Sequence, residues 1–184
     1  MGPFKVNKML EFKLKICLLG DGAVGKTSLI RKFVYDEFDD QYLMTFGAKT
    51  TKKLIGLSNP KDGGSVQMTL MISDIMGQKD VSNVHDAYMF GTKGAIIVCD
   101  ITRKETLESV QGWMDKVNKI SGDVPMVFVA NKYDLSDEAQ FDIDDLKEIA
   151  EGIDCQAYVS SARTGENVEL AFITLSEALL ALRV

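Results

Sequence analysis

The stretch from Gly20 to Ser28 has the residue types and spacing that bind a polyphosphate chain. It reads Gly-Asp-Gly-Ala-Val-Gly-Lys-Thr-Ser and fits the pattern G-x-x-x-x-G-K-[ST] between an apolar run, 14–19, and a helical pattern, 29–34. Glycines let backbone N–H groups turn inward, and a helix N-terminus adds positive charge there. The residues expected around the phosphates are Asp21, Gly22, Ala23, Val24, Gly25, Lys26, Thr27 and Ser28. A glycine turn with a surface Lys is the plainer alternative, which this context disfavours.

Within this loop two side chains have chemistry of their own. Lys26 would reach the β- and γ-phosphates and neutralise charge there, and the Thr27 hydroxyl would bind Mg²⁺. A second candidate follows a β-rich run: Asp74 could support Mg²⁺ through its oxygens, directly or through water. The Gly77 N–H could approach the γ-phosphate, and Gln78 could orient an attacking water. A turn Asp and a turn Gly would explain D-x-x-G equally well.

Two further segments could read a purine base. Asp134, in Asn131-Lys132-Tyr133-Asp134, could accept hydrogen bonds from the ring N–H and the amine of guanine. Adenine lacks both donors, and a buried carboxylate left without them would discriminate by about four orders of magnitude. The alternative is a helix-capping Asn–Asp pair. Ser160-Ser161-Ala162 permits a tight loop whose Ala162 N–H could meet the guanine carbonyl, and the residues expected beside the base there are Ser161, Ala162 and Arg163.

Thr45 lies in a polar loop before the first β-rich run. If its hydroxyl binds Mg²⁺ and its N–H binds the γ-phosphate, this loop senses the nucleotide. By itself, a threonine in a loop usually has no role in ligand binding.

Alternating strand and helix patterns must position these residues. Strands are predicted near 13–19, 48–58, 65–73, 94–99, 126–130 and 156–159, and helices near 26–35, 80–90, 103–120, 143–151 and 168–182. Asn59-Pro60-Lys61-Asp62-Gly63-Gly64 predicts an antiparallel hairpin. The other apolar strands indicate a parallel sheet covered on both faces, whose ligands lie beyond the carboxyl ends of its strands. Each candidate follows such an end.

Composition narrows the classes of protein. The net charge of −6 argues against nucleic-acid binding. Cys17, Cys99 and Cys155 are widely spaced in apolar runs, which predicts buried thiols in a reducing compartment and a cytoplasmic location. No apolar run is long enough for a transmembrane segment. Residues 1–11 are expected to be an N-terminal extension and 12–184 one domain, and peripheral membrane association would need a lipidated tail beyond Val184.

Taken together, these motifs resemble the small GTPases of the Ras superfamily, and Ser161–Val168 and Tyr42–Gly47 are most similar to the Rab branch. The resemblance implies a P-loop NTPase three-layer sandwich with a six-stranded sheet, one antiparallel edge strand and about five helices. It implies GTP or GDP with Mg²⁺ as ligands. Thr27 and Thr45 would then bind the ion and Gln78 would be the hydrolytic glutamine, while Asn131, Lys132 and Asp134 would read guanine. Phe38 falls where an aromatic residue lies edge-on to the base, and Tyr42 where a tyrosine closes over the phosphates.

The chain departs from that family's pattern at several positions. Lys79 stands where the family usually has Glu, which puts the usual route of assisted nucleotide exchange in doubt. Of the three aromatic residues that Rab proteins present to effectors, the aligned positions Thr50, Ser73 and Tyr88 keep one. The resemblance still implies GTPase-activating, exchange and effector proteins as partners.

The leading hypothesis is therefore a GTP-hydrolysing molecular switch with slow intrinsic turnover. No Arg lies between Phe38 and Thr45, so a partner's arginine could raise the rate by about 10³–10⁵. One alternative is a module that holds nucleotide without hydrolysing it. Another is an ATP-dependent kinase, for which Asn131–Asp134 would be a coincidence.

Overall fold

The computed structural model of the 184-residue chain describes residues 9–39, 48–75, 82–153 and 155–183. Its strands are β1 (Leu10–Leu19), β2 (Ala48–Ser58), β3 (Ser65–Ile75), β4 (Gly94–Asp100), β5 (Met126–Asn131) and β6 (Gln156–Val159). Its α-helices are α1 (Lys26–Tyr35), α2 (Ser82–Met89), α3 (Lys104–Glu108), α4 (Val110–Ser121), α5 (Ile143–Glu151) and α6 (Val168–Ala181), and Tyr133–Glu138 is a 3₁₀ helix.

The strands form one six-stranded sheet in the order β2-β3-β1-β4-β5-β6. Among the described strands only the β2–β3 pairing is antiparallel, and the other four pairings are parallel. The β2–β3 turn is closed by the Asn59 N–H, which donates to the Gly64 carbonyl at 2.7 Å. This confirms the predicted hairpin and the mostly parallel sheet with one antiparallel edge strand.

Helices cover both faces of the sheet, so the fold is the expected three-layer sandwich. Alternation along β1 sends Leu14, Ile16 and Leu18 to the face that packs against α1 and α6, while Cys17 and Leu19 join the core beneath α4 and α5. All seven residues of β4 are buried, as expected for a central strand covered on both sides.

The structure corrects some of the predicted boundaries. The single helix predicted for 103–120 is interrupted at Ser109, whose hydroxyl donates to the Asp21 carboxylate outside the helix, so the described residues form six α-helices and not about five. β1 begins at Leu10 because Leu10 already pairs with Val66 of β3. The boundary between an N-terminal extension and a domain stays a prediction.

The three cysteines differ in burial. Cys17 and Cys99 are buried as predicted, whereas Cys155 is only partly buried because it precedes the short edge strand β6. Within the described ranges no helix is both long and apolar enough to cross a lipid bilayer.

Candidate nucleotide-binding site

The loop that joins β1 to α1 lies close to two other parts of the sheet. A Cβ on Gly20, where φ is +138°, would lie 2.1 Å from the Val98 carbonyl oxygen of β4. A Cβ on Gly25, where φ is +98°, would lie 2.2 Å from Asn131 Nδ2. Both positions therefore require glycine, for conformation and for space. Ala23 takes the left-handed conformation with a φ of 62°, which costs free energy in a residue that has a Cβ.

Lys26 is buried at the start of α1. Its Nζ donates to the carbonyl oxygens of Gly20 and Asp21, each at 2.7 Å, so the loop curls around the ammonium group. Burial lowers the pKa of Lys26 to about 8, although the nearby carboxylates of Asp74 and Asp21 oppose that shift. The first turn of α1 contains no acidic residue. The ammonium and the helix N-terminus therefore make this loop attractive to an anion.

Thr27 and Asp74 meet at the carboxyl ends of β1 and β3. The Thr27 hydroxyl donates to Asp74 Oδ2 at 2.6 Å. Burial raises the pKa of Asp74, and the Thr27 hydrogen bond and Lys26 partly oppose that rise. Asp74 Oδ1 is buried and has no hydrogen-bond partner among the described residues. A hydroxyl beside a carboxylate oxygen that needs a partner fits a hard cation such as Mg²⁺.

Asn131 joins three loops. Its Nδ2 donates to the Val24 carbonyl of the phosphate loop at 2.8 Å, and its Oδ1 accepts from the Ala162 N–H at 3.2 Å. The side chain is buried. The loops after β1, β5 and β6 are therefore held at one place, as the sequence predicted from their positions at strand ends.

Asp134 and Ser161 also meet, since the Ser161 hydroxyl donates to Asp134 Oδ1 at 2.6 Å. The Thr164 N–H in turn donates to the Ser161 hydroxyl at 3.1 Å, which fixes its orientation. Asp134 is exposed, however, and not buried as the sequence argument assumed. Asp134 lies in the first turn of the 3₁₀ helix, none of whose residues is buried.

Sequence reasoning missed a buried carboxylate, Asp100, at the end of β4. It accepts from Lys132 Nζ at 2.6 Å and from Arg103 Nε at 3.0 Å. Arg103 Nη2 also donates to the Gly22 carbonyl at 2.9 Å. The rule that located Asp74 and Asn131, a polar residue directly after an apolar strand, would have located Asp100 as well.

Sequence reasoning also missed the hydrogen bonds that connect the phosphate loop to the start of α4. Trp113 Nε1 donates to Asp21 Oδ1 at 2.9 Å, and the Ser109 hydroxyl donates to Asp21 Oδ2 at 2.8 Å. Trp113 is the chain's single tryptophan. No motif pointed to Trp113, and the sequence predicted only that it lies in a helix.

The remaining predicted residues are less informative. Phe38 and Arg163 are exposed, and neither makes a hydrogen bond or ring contact within the described part of the chain. Tyr42, Thr45, Gly77 and Gln78 lie outside the described residues, so their roles stay predictions.

The family model described as "Ras family" matches residues 15–181. The chain belongs to the Ras family. It is 29% identical over 170 residues to the Ras-related protein Rab-21 of Homo sapiens, covering 92% of this chain and 73% of the relative. It is 31% identical over 175 residues to the Ras-related protein Rab-21 of Geodia cydonium, covering 95% of this chain and 74% of the relative.

Membership of the Ras family confirms the resemblance seen in the motifs. The chain is a divergent, Rab-like small GTPase that binds GTP and GDP with Mg²⁺, hydrolyses GTP and acts as a nucleotide-dependent switch. The ATP-dependent kinase alternative is thereby left without support, and so is a module that only holds nucleotide.

Proposed function

We propose that the loops after β1, β3, β5 and β6 form a single guanine-nucleotide site. Asn131 is the observation that supports this most strongly, because its one side chain joins Val24 of the phosphate loop to Ala162 of the last loop. A triphosphate would lie along Gly20–Ser28, and the base between Asn131–Asp134 and Ser161–Arg163. Phe38 and Tyr42 would lie against the base and over the phosphates.

Lys26 would act at the phosphates. Its ammonium group is already buried and directed at two loop carbonyl groups, so little reorganisation is needed to bring it to a phosphate oxygen. Preorganised positive charge stabilises the charge that develops on the transferred phosphoryl group. The N–H groups of the loop, which lie at the N-terminus of α1, would act in the same direction.

Thr27, Thr45 and Asp74 are the residues that would hold Mg²⁺. When bound, the ion supplies further positive charge against the β- and γ-phosphates. Thr27 and Asp74 are already in contact, which places their oxygens on one side of the loop. Gln78 would orient the attacking water.

Intrinsic turnover is proposed to be slow, because the described arginines near the phosphate loop already have other partners. Arg103 bonds Gly22 and Asp100, and Arg31 pairs with Glu37 at 3.5 Å and with Asp39 at 3.6 Å. A GTPase-activating partner's arginine would then raise the rate by about 10³–10⁵.

The same family supports a proposal for the partners and the place of action. We infer a cytoplasmic switch, in membrane trafficking or signalling, that works with activating, exchange and effector proteins. Its surface for effectors differs from the Rab pattern, since Ser73 is fully buried and Tyr88 is the aligned aromatic residue that is exposed. The proteins that bind it would therefore depend less on aromatic contacts.

Guanine recognition by Asp134 provides the test. Replacing Asp134→Asn removes the acceptor for the guanine amine and offers a donor to a base with a carbonyl at that position, as in xanthine. We expect affinity for GDP to fall by about 10²-fold or more and affinity for xanthosine diphosphate to rise. Isothermal calorimetry with stripped protein and Mg²⁺ measures both.

Asp137→Asn is the matched control, because Asp137 is an exposed carboxylate in the same 3₁₀ helix. It should bind GDP as the wild-type protein does. Unchanged preference in the Asp134 variant would contradict the assigned base site. No heat with GDP or GTP for the wild-type protein would contradict the whole site.

A further inference from the structure

Arg103 lies between the phosphate loop and the loop expected to read guanine. It donates Nη2 to the Gly22 carbonyl at 2.9 Å and Nε to Asp100 Oδ2 at 3.0 Å. Both donors belong to one rigid, planar guanidinium group. The bond from Nε to Asp100 therefore also orients Nη2 toward the Gly22 carbonyl. None of the nucleotide motifs requires an arginine at this position.

Asp100 is a rigid anchor for that arginine. Besides Arg103, its carboxylate accepts from Lys132 Nζ at 2.6 Å, from the Thr102 N–H at 3.0 Å and from the Thr102 hydroxyl at 2.7 Å. A carboxylate has about four acceptor sites, so these donors saturate it. The side chain is fully buried, and rotating it would leave buried groups without partners.

We propose that Arg103 is a positioning residue that, together with Asp100, fastens the Gly22 carbonyl to Lys132 and thereby slows the release of bound guanine nucleotide. The proposal rests on the proposed function, in which Gly22 flanks the phosphates and Lys132 belongs to the segment beside the base. A nucleotide can leave only if both loops give way. A link that runs Gly22–Arg103–Asp100–Lys132 makes the movement of one loop depend on the other.

Arg103 could affect nucleotide release through its positive charge or through the geometry of its hydrogen bonds, and two variants distinguish these effects. That charge is felt at Lys26, where it adds to the lowering of the pKa that burial causes. Arg103→Ala therefore removes a nearby charge as well as two hydrogen bonds. Arg103→Lys keeps the charge but has no planar fork that can serve Asp100 and Gly22 together.

The experiment measures release of a fluorescent GDP analogue from the loaded 184-residue chain in excess GDP and Mg²⁺. Arg103→Ala should release the analogue at least about tenfold faster than wild type, as expected for loss of a charge-assisted hydrogen bond to the loop. Arg103→Lys should retain most of that defect. Lys104→Ala, which removes an exposed neighbouring charge, should release at the wild-type rate.

A double-mutant cycle tests the link itself. If Arg103 and Lys132 act through Asp100, the effects of Arg103→Ala and Lys132→Ala on the release rate will be non-additive by threefold or more, roughly the scale of coupling between contacting residues. A residue that only stabilised the fold would give additive effects.

Three results with the variants would overturn the proposal. Release from Arg103→Ala within about twofold of wild type would remove the role of Arg103. Wild-type release from Arg103→Lys would assign the effect to charge, and additive rates in the cycle would remove the link to Lys132. If the wild-type chain retains no guanine nucleotide after loading, the proposed function fails together with this inference.

Discussion

At Gly25 the space for one methyl group decides whether two loops can stay together. A Cβ there would lie 2.2 Å from Asn131 Nδ2, the atom that donates to the Val24 carbonyl. Gly25→Ala must therefore displace Asn131 and strain a φ of +98°. We expect a loss of about 2–4 kcal/mol in the free energy of unfolding and a marked loss of GDP affinity. Urea unfolding and calorimetry measure the two effects.

Gly112→Ala is the matched control at the same scale. Gly112 lies in α4, and nothing lies within 4 Å of the Cβ it would gain. The substitution should stabilise the helix by about 0.5–1 kcal/mol and leave GDP affinity unchanged. If Gly25→Ala bound GDP as tightly as Gly112→Ala does, the close contact with Asn131 would not matter for the site.

At the scale of elements, the carboxyl end of β4 provides a pH dependence. Burial alone would raise the pKa of Asp100, but hydrogen bonds from Lys132 and Thr102 outweigh it, so the pKa is lowered from 3.8. The carboxylate therefore stabilises the fold above the unfolded-state pKa, and this contribution is lost as pH falls through the lower folded-state value. Lys132 and Arg103 are the charged groups that face it.

Asp100→Asn should consequently lower the free energy of unfolding by roughly 1–3 kcal/mol at pH 7. The difference from wild type should shrink as pH falls below about 4. Urea unfolding from pH 3 to pH 7 measures it. Asp123→Asn removes an exposed charge in the turn after α4 and is the control. A difference for Asp100→Asn that stays constant over that range would contradict the role of the ionised carboxylate.

Strand ends also show how far the sequence could predict the site. Asp74 and Asn131 were predicted because both follow strand ends and fit known motifs, and the structure brings both to the phosphate loop. Asp100 and Arg103 belong to no such motif, and only the folded chain shows that they bond Lys132 and Gly22. Trp113 was missed because periodicity indicates that a residue is buried and not that its indole N–H has a polar partner.

The six strands, their alternation with helices along the chain and the hairpin were predictable, because apolar periodicity and turn residues are local signals. The interruption at Ser109 was not, since it involves the Asp21 carboxylate, far away in the sequence. The exposure of Asp134 likewise depends on the folded 3₁₀ helix, none of whose residues is buried. Contacts between elements, unlike the elements themselves, leave little trace in one sequence.

At the scale of the whole molecule, the sheet and the two cores on its opposite faces form a rigid frame. Loops at the edge of this frame can change conformation without disturbing it. β4 is buried throughout and pairs with a strand on each side. Its amide hydrogens should therefore exchange slowly with solvent whether GDP or a GTP analogue is bound. The γ-phosphate is expected to bind Thr45 and Gly77. We therefore expect segments 39–48 and 75–88 to be more protected with a GTP analogue than with GDP, and β4 and β5 to be equally protected. Hydrogen exchange with mass spectrometry measures all four.

Thr45→Ala shows whether that difference comes from the γ-phosphate. Without its hydroxyl, segment 39–48 should lose the extra protection that the GTP analogue gives, while segment 75–88 keeps it through the Gly77 N–H. The frame should be unchanged in both states, because its described core residues are buried between the sheet and the helices. Equal protection of 39–48 with both nucleotides in the wild-type chain would contradict a switch at Thr45. A change that spread into β4 would instead mean that the nucleotide reorganises the frame itself.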